Sequence, residues 1–192
     1  MADNLAHQYE YEEGYRSEML DGAIVLMAPR PATNHNRVAG NIFYMFESYL
    51  RRKTCDAFPD GTDVYLTEKD RVVPDAVIVC DRDKIQQNGI HGAPDLVVEV
   101  LSPRTRKRDK GYKKDLYERC GVREYWIADP ESKSVEVYLL KEGRFVLDEV
   151  YEIFPDYVVF EPGEREMCKD SIPVSLYEDF SIPLEEIFYN VF

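Results

Sequence analysis

Apolar residues along this chain form a succession of short runs and two helical stripes. Tyr15 to Leu20 and Ala23 to Met27 flank Asp21-Gly22. Asp-Gly between two short apolar runs predicts a β-hairpin, because both turn positions tolerate positive φ. A loop through Pro29, Pro31 and Thr33-Asn34 follows. Val38, Ile42, Met45/Phe46 and Tyr49 then recur at three-to-four spacing, which predicts an amphipathic helix from His35 to about Arg52 with Asn34 as its cap. Two short strands are expected near Cys55–Phe58 and Asp63–Thr67. Val72–Cys80 and Leu96–Leu101 are nearly unbroken apolar runs, the mark of central strands covered on both faces. The polar stretch from Asp81 to Ala93 between them reads as a loop. Tyr112, Leu116 and Cys120 share a helical face within Thr105–Cys120, and Gly121 ends it.

Strands at Val122–Ala128, Val135–Leu140 and Phe145–Tyr151 follow, separated by turns at Asp129-Pro130-Glu131-Ser132 and Glu142-Gly143. The stretch Ile182–Phe188 reads as a short helix packed on the body, and the acidic, tyrosine-rich N-terminal stretch as helical or loose. The order of elements implies α/β architecture: a central mixed β-sheet flanked by helices, with an N-terminal hairpin, in one domain over 1–192.

Two positions break this pattern. Glu99 sits in the middle of Leu-Val-Val-Glu-Val-Leu, and Asp75 interrupts the earlier run. A buried ionised carboxylate costs several kcal/mol unless it is paired, hydrogen-bonded or metal-bound. If the two strands are neighbours, the carboxylates lie near 5 Å apart and repel by about 3 kcal/mol at an effective dielectric of 20. Mg²⁺ or Mn²⁺ between them removes that repulsion and suits oxygen ligands with retained water. Asp95, on the same strand face as Glu99, is a further candidate ligand, and equally a capping or turn residue. Lys113 lies on a stripe with Asp109 and Tyr117 and is the candidate for orienting water or phosphate. His35 is a candidate for proton transfer or phosphate contact.

Composition narrows the partners. The net charge of −13 argues against a general nucleic-acid binder. Yet seven bases stand between Arg104 and Lys114 against the single acid Asp109. Arg104, Arg106, Lys107, Arg108 and Lys110 are therefore candidate phosphate contacts, beside the bland alternative of a solvated helix face. No apolar run approaches the roughly 20 residues of a membrane span. The four cysteines lack the close spacing of a metal or redox motif. They point to a reduced, cytoplasmic protein in which Cys80 is a small buried hydrophobe.

Val-Pro-Asp75, the stretch from Ala93-Pro94-Asp95 through Glu99 to Ser102-Pro103, Lys113-x-x-x-Tyr117, and Gly121-Val-Arg-Glu-Tyr-Trp-Ile-x-Asp-Pro130 resemble the Uma2 family, also called DUF820. The detailed likeness covers residues 72–130. It extends more loosely to Leu20-Asp21-Gly22, Met27-Ala28-Pro29, the His35 helix and the Ile-Pro-Leu-Glu-Glu-Ile-Phe stretch. That resemblance implies the PD-(D/E)xK superfamily, a restriction-endonuclease-like core, and Asp75 and Glu99 as ligands of Mg²⁺ or Mn²⁺. It implies a metal-dependent endonuclease acting on DNA, and a homodimer for which the apolar stretch Ile182–Phe192 is a candidate interface. The superfamily's usual lysine position is here Leu101; related families carry that lysine on the following helix, as Lys113 does. Pro59-Asp60 is read as a turn decoy. Two alternatives stay open: a catalytically inactive, nuclease-derived module that binds nucleic acid or protein, and hydrolysis of a smaller phosphate ester.

Overall fold

The predicted hairpin is present: β1 (Ser17–Leu20) pairs antiparallel with β2 (Ala23–Leu26). Asp21 and Gly22 both take positive φ in the turn, +49° and +78°. The chain's structure is a computed structural model that describes residues 16–27, 30–155, 157–161, 163–165 and 168–192. Tyr15, the acidic stretch before it and Ala28-Pro29 lie outside the described residues.

Helix α1 (Thr33–Leu50) buries the apolar stripe Val38, Ile42 and Phe46. Its cap position is Ala32 rather than Asn34, and no side chain caps it. Asn34 lies in the first turn instead and bonds the backbone of Phe192 through both side-chain atoms.

The expected strand Val72–Cys80 is two strands. β5 (Arg71–Val72) belongs to a small sheet, and β6 (Ala76–Val79) to the main one. Pro74 has no N–H for a ladder and favours extended backbone before it, so the chain changes sheet at Pro74-Asp75. The main sheet runs β12-β11-β10-β9-β6-β3, with β3 (Asp56–Pro59), β9 (Leu96–Val100), β10 (Glu124–Asp129), β11 (Ser134–Lys141) and β12 (Arg144–Glu152). Within this sheet, among the described residues, only β9 and β10 pair in parallel. Parallel neighbours need a crossover, and the helix between them supplies it. This helix, α2, runs from Arg106–Arg108 through a π-helical turn at Asp109–Lys113 into Lys114–Cys120. Gly121, at φ +87°, ends it in the left-handed conformation.

The smaller sheet runs β2-β1-β5-β4-β8-β7. It takes β4 (Val64–Tyr65), β7 (Ile85–Gln86) and β8 (Gly89–His91). The stretch expected as a loop from Asp81 to Ala93 thus holds two short strands, after a 3₁₀ turn at Arg82–Lys84. Strands of two or three residues leave too little pattern to read by periodicity. On one face of the main sheet, α1 and the later part of the chain close a core around Ile42, Phe46, Trp126 and Ile182. On the other, the small sheet and α2 close a second core around Val97, Leu116, Tyr117 and Tyr125.

β13 (Ser171–Pro173) and β14 (Ser181–Pro183) pair antiparallel, and α3 (Leu184–Ile187) follows. Ile182, Leu184, Ile187, Phe188 and Val191 are buried in the chain's own core. The stretch considered for a dimer interface therefore exposes only Tyr189 and Phe192 among its large apolar residues.

The expectation that all cysteines are reduced is corrected. Cys55 and Cys80 form a disulfide. Continuing the β3–β6 register one pair past Asp56↔Val79 sets these residues opposite each other, a neighbourhood that a separation of 25 residues does not reveal. Cys120 and Cys168 are free. No helix among the described residues is long and apolar enough to cross a membrane.

Candidate metal-dependent active site

β6 and β9 are antiparallel neighbours, with Ala76 opposite Val98. One step further the register sets Asp75 opposite Glu99, on the face shared with Val77, Val97 and Leu101. Cβ atoms of such pairs lie about 4.5–5.5 Å apart. The Asp75 N–H donates to the Val98 carbonyl at 3.1 Å. Where the chain bends away at Pro74, the Asp75 side chain serves as an acceptor for the strand: Oδ2 takes the Val100 N–H at 2.7 Å. A fixed carboxylate therefore stands beside Glu99.

Lys113 reaches the same place from the π turn of α2. Its Nζ lies 2.8 Å from Glu99 Oε1, 2.7 Å from Glu18 Oε1 and 3.8 Å from Asp109 Oδ1. The Asp109–Lys113–Tyr117 stripe holds, and the Tyr117 hydroxyl donates to Glu99 Oε1 at 2.5 Å. His35, at the start of α1, places Nε2 3.5 Å from Asp75 Oδ2. Glu18, His35, Asp75, Glu99 and Lys113 line one recess together with Arg16, Arg30, Asp60, Arg104 and Arg108.

The electrostatics follow from burial. Glu18, Asp75, Glu99 and Asp109 are four buried carboxylates gathered about one buried ammonium. Desolvation raises the Asp75 pKa to about 6, against the opposing pull of His35, the Val100 amide and Lys113. Burial pushes Glu99 well above the ordinary glutamate range, although Lys113 favours its charged form. Burial lowers the Lys113 pKa, but Glu99, Glu18 and Asp109 outweigh it and hold the ammonium above the usual lysine value. Such an excess of inward-facing acid fits a hard divalent cation. Among the described residues, no group of three or more His, Cys, Asp or Glu side chains is placed to hold a metal ion. Asp75 and Glu99 would thus share the ion's coordination with water or substrate oxygens, as Mg²⁺ sites commonly do.

Other expected residues divide. Asp95 stands outside the recess: Oδ2 accepts the Cys80 N–H at 2.8 Å, and Oδ1 lies 3.4 Å from Arg123. The structure gives it the capping alternative rather than a place beside Glu99. Arg104 and Arg108 line the recess, and Arg108 lies 3.5 Å from Glu18. Arg106 pairs with Asp129 and Glu131, and Lys110 with Glu136. Lys107 is exposed and does not line the recess.

Several residues of the recess escape sequence reasoning. Glu18 shares a strand face with Leu20, which is buried in the second core. That alternation was the available signal, masked by the strand's four-residue length. Asp60 sits in a turn, as expected, and it pairs with Arg16 through two hydrogen bonds on the wall of the recess. Arg16 and Arg30 carried no pattern of their own.

The whole architecture has relatives. The chain is 26% identical over 133 residues to protein slr1290 of Synechocystis, an alignment covering 68% of this chain and 70% of that one. The crystal structure of a protein from Anabaena variabilis, titled a putative nuclease belonging to DUF820, superposes with a TM-score of 0.68. The match covers 97% of this chain and 96% of that one at 21% identity, so it shows a shared fold. The Uma2 family model, described as "Putative restriction endonuclease", matches residues 3–176. This chain therefore belongs to the Uma2 family.

Proposed function

We infer that this chain is a metal-dependent nuclease hydrolysing phosphodiester bonds, with DNA as its substrate. The convergence of Asp75 and Glu99 from adjacent strands carries this reading, with Lys113 bonded to Glu99 at 2.8 Å. In this account Asp75 and Glu99 would hold Mg²⁺ or Mn²⁺, which would supply Lewis acidity and a lowered pKa for water. Lys113, kept charged by its three carboxylates, offers a fixed cation for charge developing on the phosphate. Tyr117 holds Glu99 in place from the side away from solvent. His35, against Asp75, stands where a proton could be exchanged with the reacting groups. Arg104 and Arg108 contact flanking phosphates at the wall of the recess.

The test is nicking of supercoiled plasmid with Mg²⁺ or Mn²⁺, wild type against Asp75→Ala. Cleavage by the wild type alone is expected. Equal cleavage by both proteins removes the assignment. The non-catalytic alternative has one observation in its favour: Lys113 is tightly engaged by Glu18 as well as Glu99. Calorimetry with Mg²⁺ separates the two readings, because a binding module has no need of the ion.

A further inference from the structure

Lys113 is buried, and its ammonium carries three donors. Glu18 Oε1 stands at 2.7 Å from Nζ and Glu99 Oε1 at 2.8 Å. Asp109 Oδ1 lies at 3.8 Å, beyond hydrogen-bond distance. Both carboxylate oxygens of Asp109 are buried, and neither accepts a hydrogen bond. Burial raises the Asp109 pKa, and Lys113, Thr105 and Arg108 oppose this without reaching hydrogen-bond geometry. A buried acceptor left without a donor is costly, so it calls for a reason.

The three acids around Lys113 differ in what else holds them. Glu18 Oε1 also accepts the Val73 N–H at 3.1 Å, and Arg108 lies 3.5 Å from its Oε2, so this carboxylate is anchored on three sides. Asp109 is anchored through its backbone: its N–H donates to the Thr105 carbonyl at 2.9 Å, and its own carbonyl accepts from the Tyr125 hydroxyl at 3.0 Å. Glu99 Oε1 has a second donor in the Tyr117 hydroxyl, so it keeps a partner if Lys113 departs. Lys113 is the group free to move, because its ammonium rides on a flexible four-carbon stem. It stands in the π turn Asp109–Lys113, and such turns inside helices gather at functional sites.

We propose that Lys113 has two positions: it pairs with Glu99 in the metal-free protein, and it swings to Asp109, pivoting on Glu18, when Asp75 and Glu99 take a divalent cation. The proposal rests on the metal-binding reading of those two acids. A cation on Glu99 sets like charge beside the ammonium; the swing relieves that repulsion and gives Asp109 its missing donor. Glu18 and Asp109 are thereby positioning residues, which keep the ammonium in the recess once Glu99 is committed to the ion. A ligand shifts such an equilibrium only by binding one state better. By linkage, Asp109 must then strengthen ion binding, and must do so through Lys113.

The experiment measures Mn²⁺ affinity by calorimetry, without nucleic acid, for the wild type, Asp109→Asn, Lys113→Met and the double variant. Asp109→Asn keeps the shape and removes the charge that receives Lys113, and it is expected to weaken Mn²⁺ binding at least about fivefold. In the Lys113→Met background the same substitution should weaken it far less. Equal losses in both backgrounds overturn the proposal, since Asp109 then acts by its charge alone; so does wild-type affinity in Asp109→Asn. If Lys113→Met does not fold, wild-type crystals grown with and without Mn²⁺ decide. With the ion bound, Nζ is expected within hydrogen-bond distance of Asp109 and clear of Glu99, and a retained Glu99 contact overturns the proposal. Failure of Mn²⁺ to bind Asp75 and Glu99 removes the metal reading and this inference together. Mn²⁺ bound there without the swing removes this inference alone.

Discussion

Asp75 Oδ2 accepts the backbone N–H of Val100 at 2.7 Å, one residue beyond Glu99. The contact fastens the first acid to the strand that carries the second, so their approach is built into the sheet. It also separates structural from chemical roles at residue 75. Asp75→Asn keeps an oxygen for the Val100 amide, whereas Asp75→Ala leaves that buried donor unsatisfied, at a cost of about 1–3 kcal/mol. Thermal melts in mild acid should show Asp75→Asn near wild type and Asp75→Ala clearly lower, while plasmid nicking at neutral pH is lost in both. Nicking retained by Asp75→Asn would contradict the role assigned to its charge.

The raised pKa of Asp75, about 6, sets a pH dependence. In the absence of metal the fold favours the protonated acid. The stability this group contributes is present below its unfolded pKa and is lost as pH rises through about 6. Asp75→Asn should therefore gain stability over wild type as pH rises from acid to neutral, measured by denaturant titration in EDTA. Metal binding needs the carboxylate and should strengthen over the same interval. A flat difference between the two proteins would show that Asp75 is not desolvated.

Lys113 lies within 4 Å of the Glu18, Glu99 and Asp109 carboxylates. Lys113→Met removes the ammonium and leaves those carboxylates uncompensated, a loss of about 3–5 kcal/mol at neutral pH. The loss should shrink in acid, where the carboxylates take up protons, and Glu18→Gln in the same chain should recover part of it. Denaturant melts of the single and double variants measure both effects. An undiminished loss in the double variant would mean that Glu18 is not Lys113's partner in solution.

The basic segment should divide by position. Arg104→Ala and Arg108→Ala should weaken nucleic-acid binding and lower its salt dependence by about one unit of slope each. Arg106→Ala and Lys110→Ala, which do not line the recess, should change binding little. Binding measured across a salt series decides this.

Trp126 is the sole tryptophan of the chain, and its indole N–H donates to Glu124 Oε1 at 2.6 Å. Burial raises the Glu124 pKa, although Ser175 and Trp126 donate to it. Its stabilising contribution is therefore full in acid and lost as pH rises through the folded-state pKa. Tryptophan emission should titrate once above the ordinary glutamate range, and Glu124→Gln should abolish that step.

Much of this site was legible because a charge inside an apolar run stands out. Glu99 and Asp75 declare themselves that way, and the helical stripe delivers Lys113 and Tyr117. Glu18 remained hidden because four residues of strand do not separate an inward acid from an outward one. Asp60 and Arg16 meet across 44 residues, and no local pattern encodes such a pairing. Asp95 shares a strand face with Glu99 but lies at the other end of the strand, outside the recess. The main strands and both long helices were readable from periodicity. Of the small sheet, the hairpin and β4 were readable too, while β7 and β8, of two and three residues, were not.

The central claim is that Asp75 and Glu99 share one cation. Anomalous diffraction from a crystal soaked in Mn²⁺ tests it most directly. A peak bridging the two carboxylates, absent in Asp75→Asn, is the predicted result. Full soaking with no peak there, or a peak held elsewhere on the chain, would contradict it.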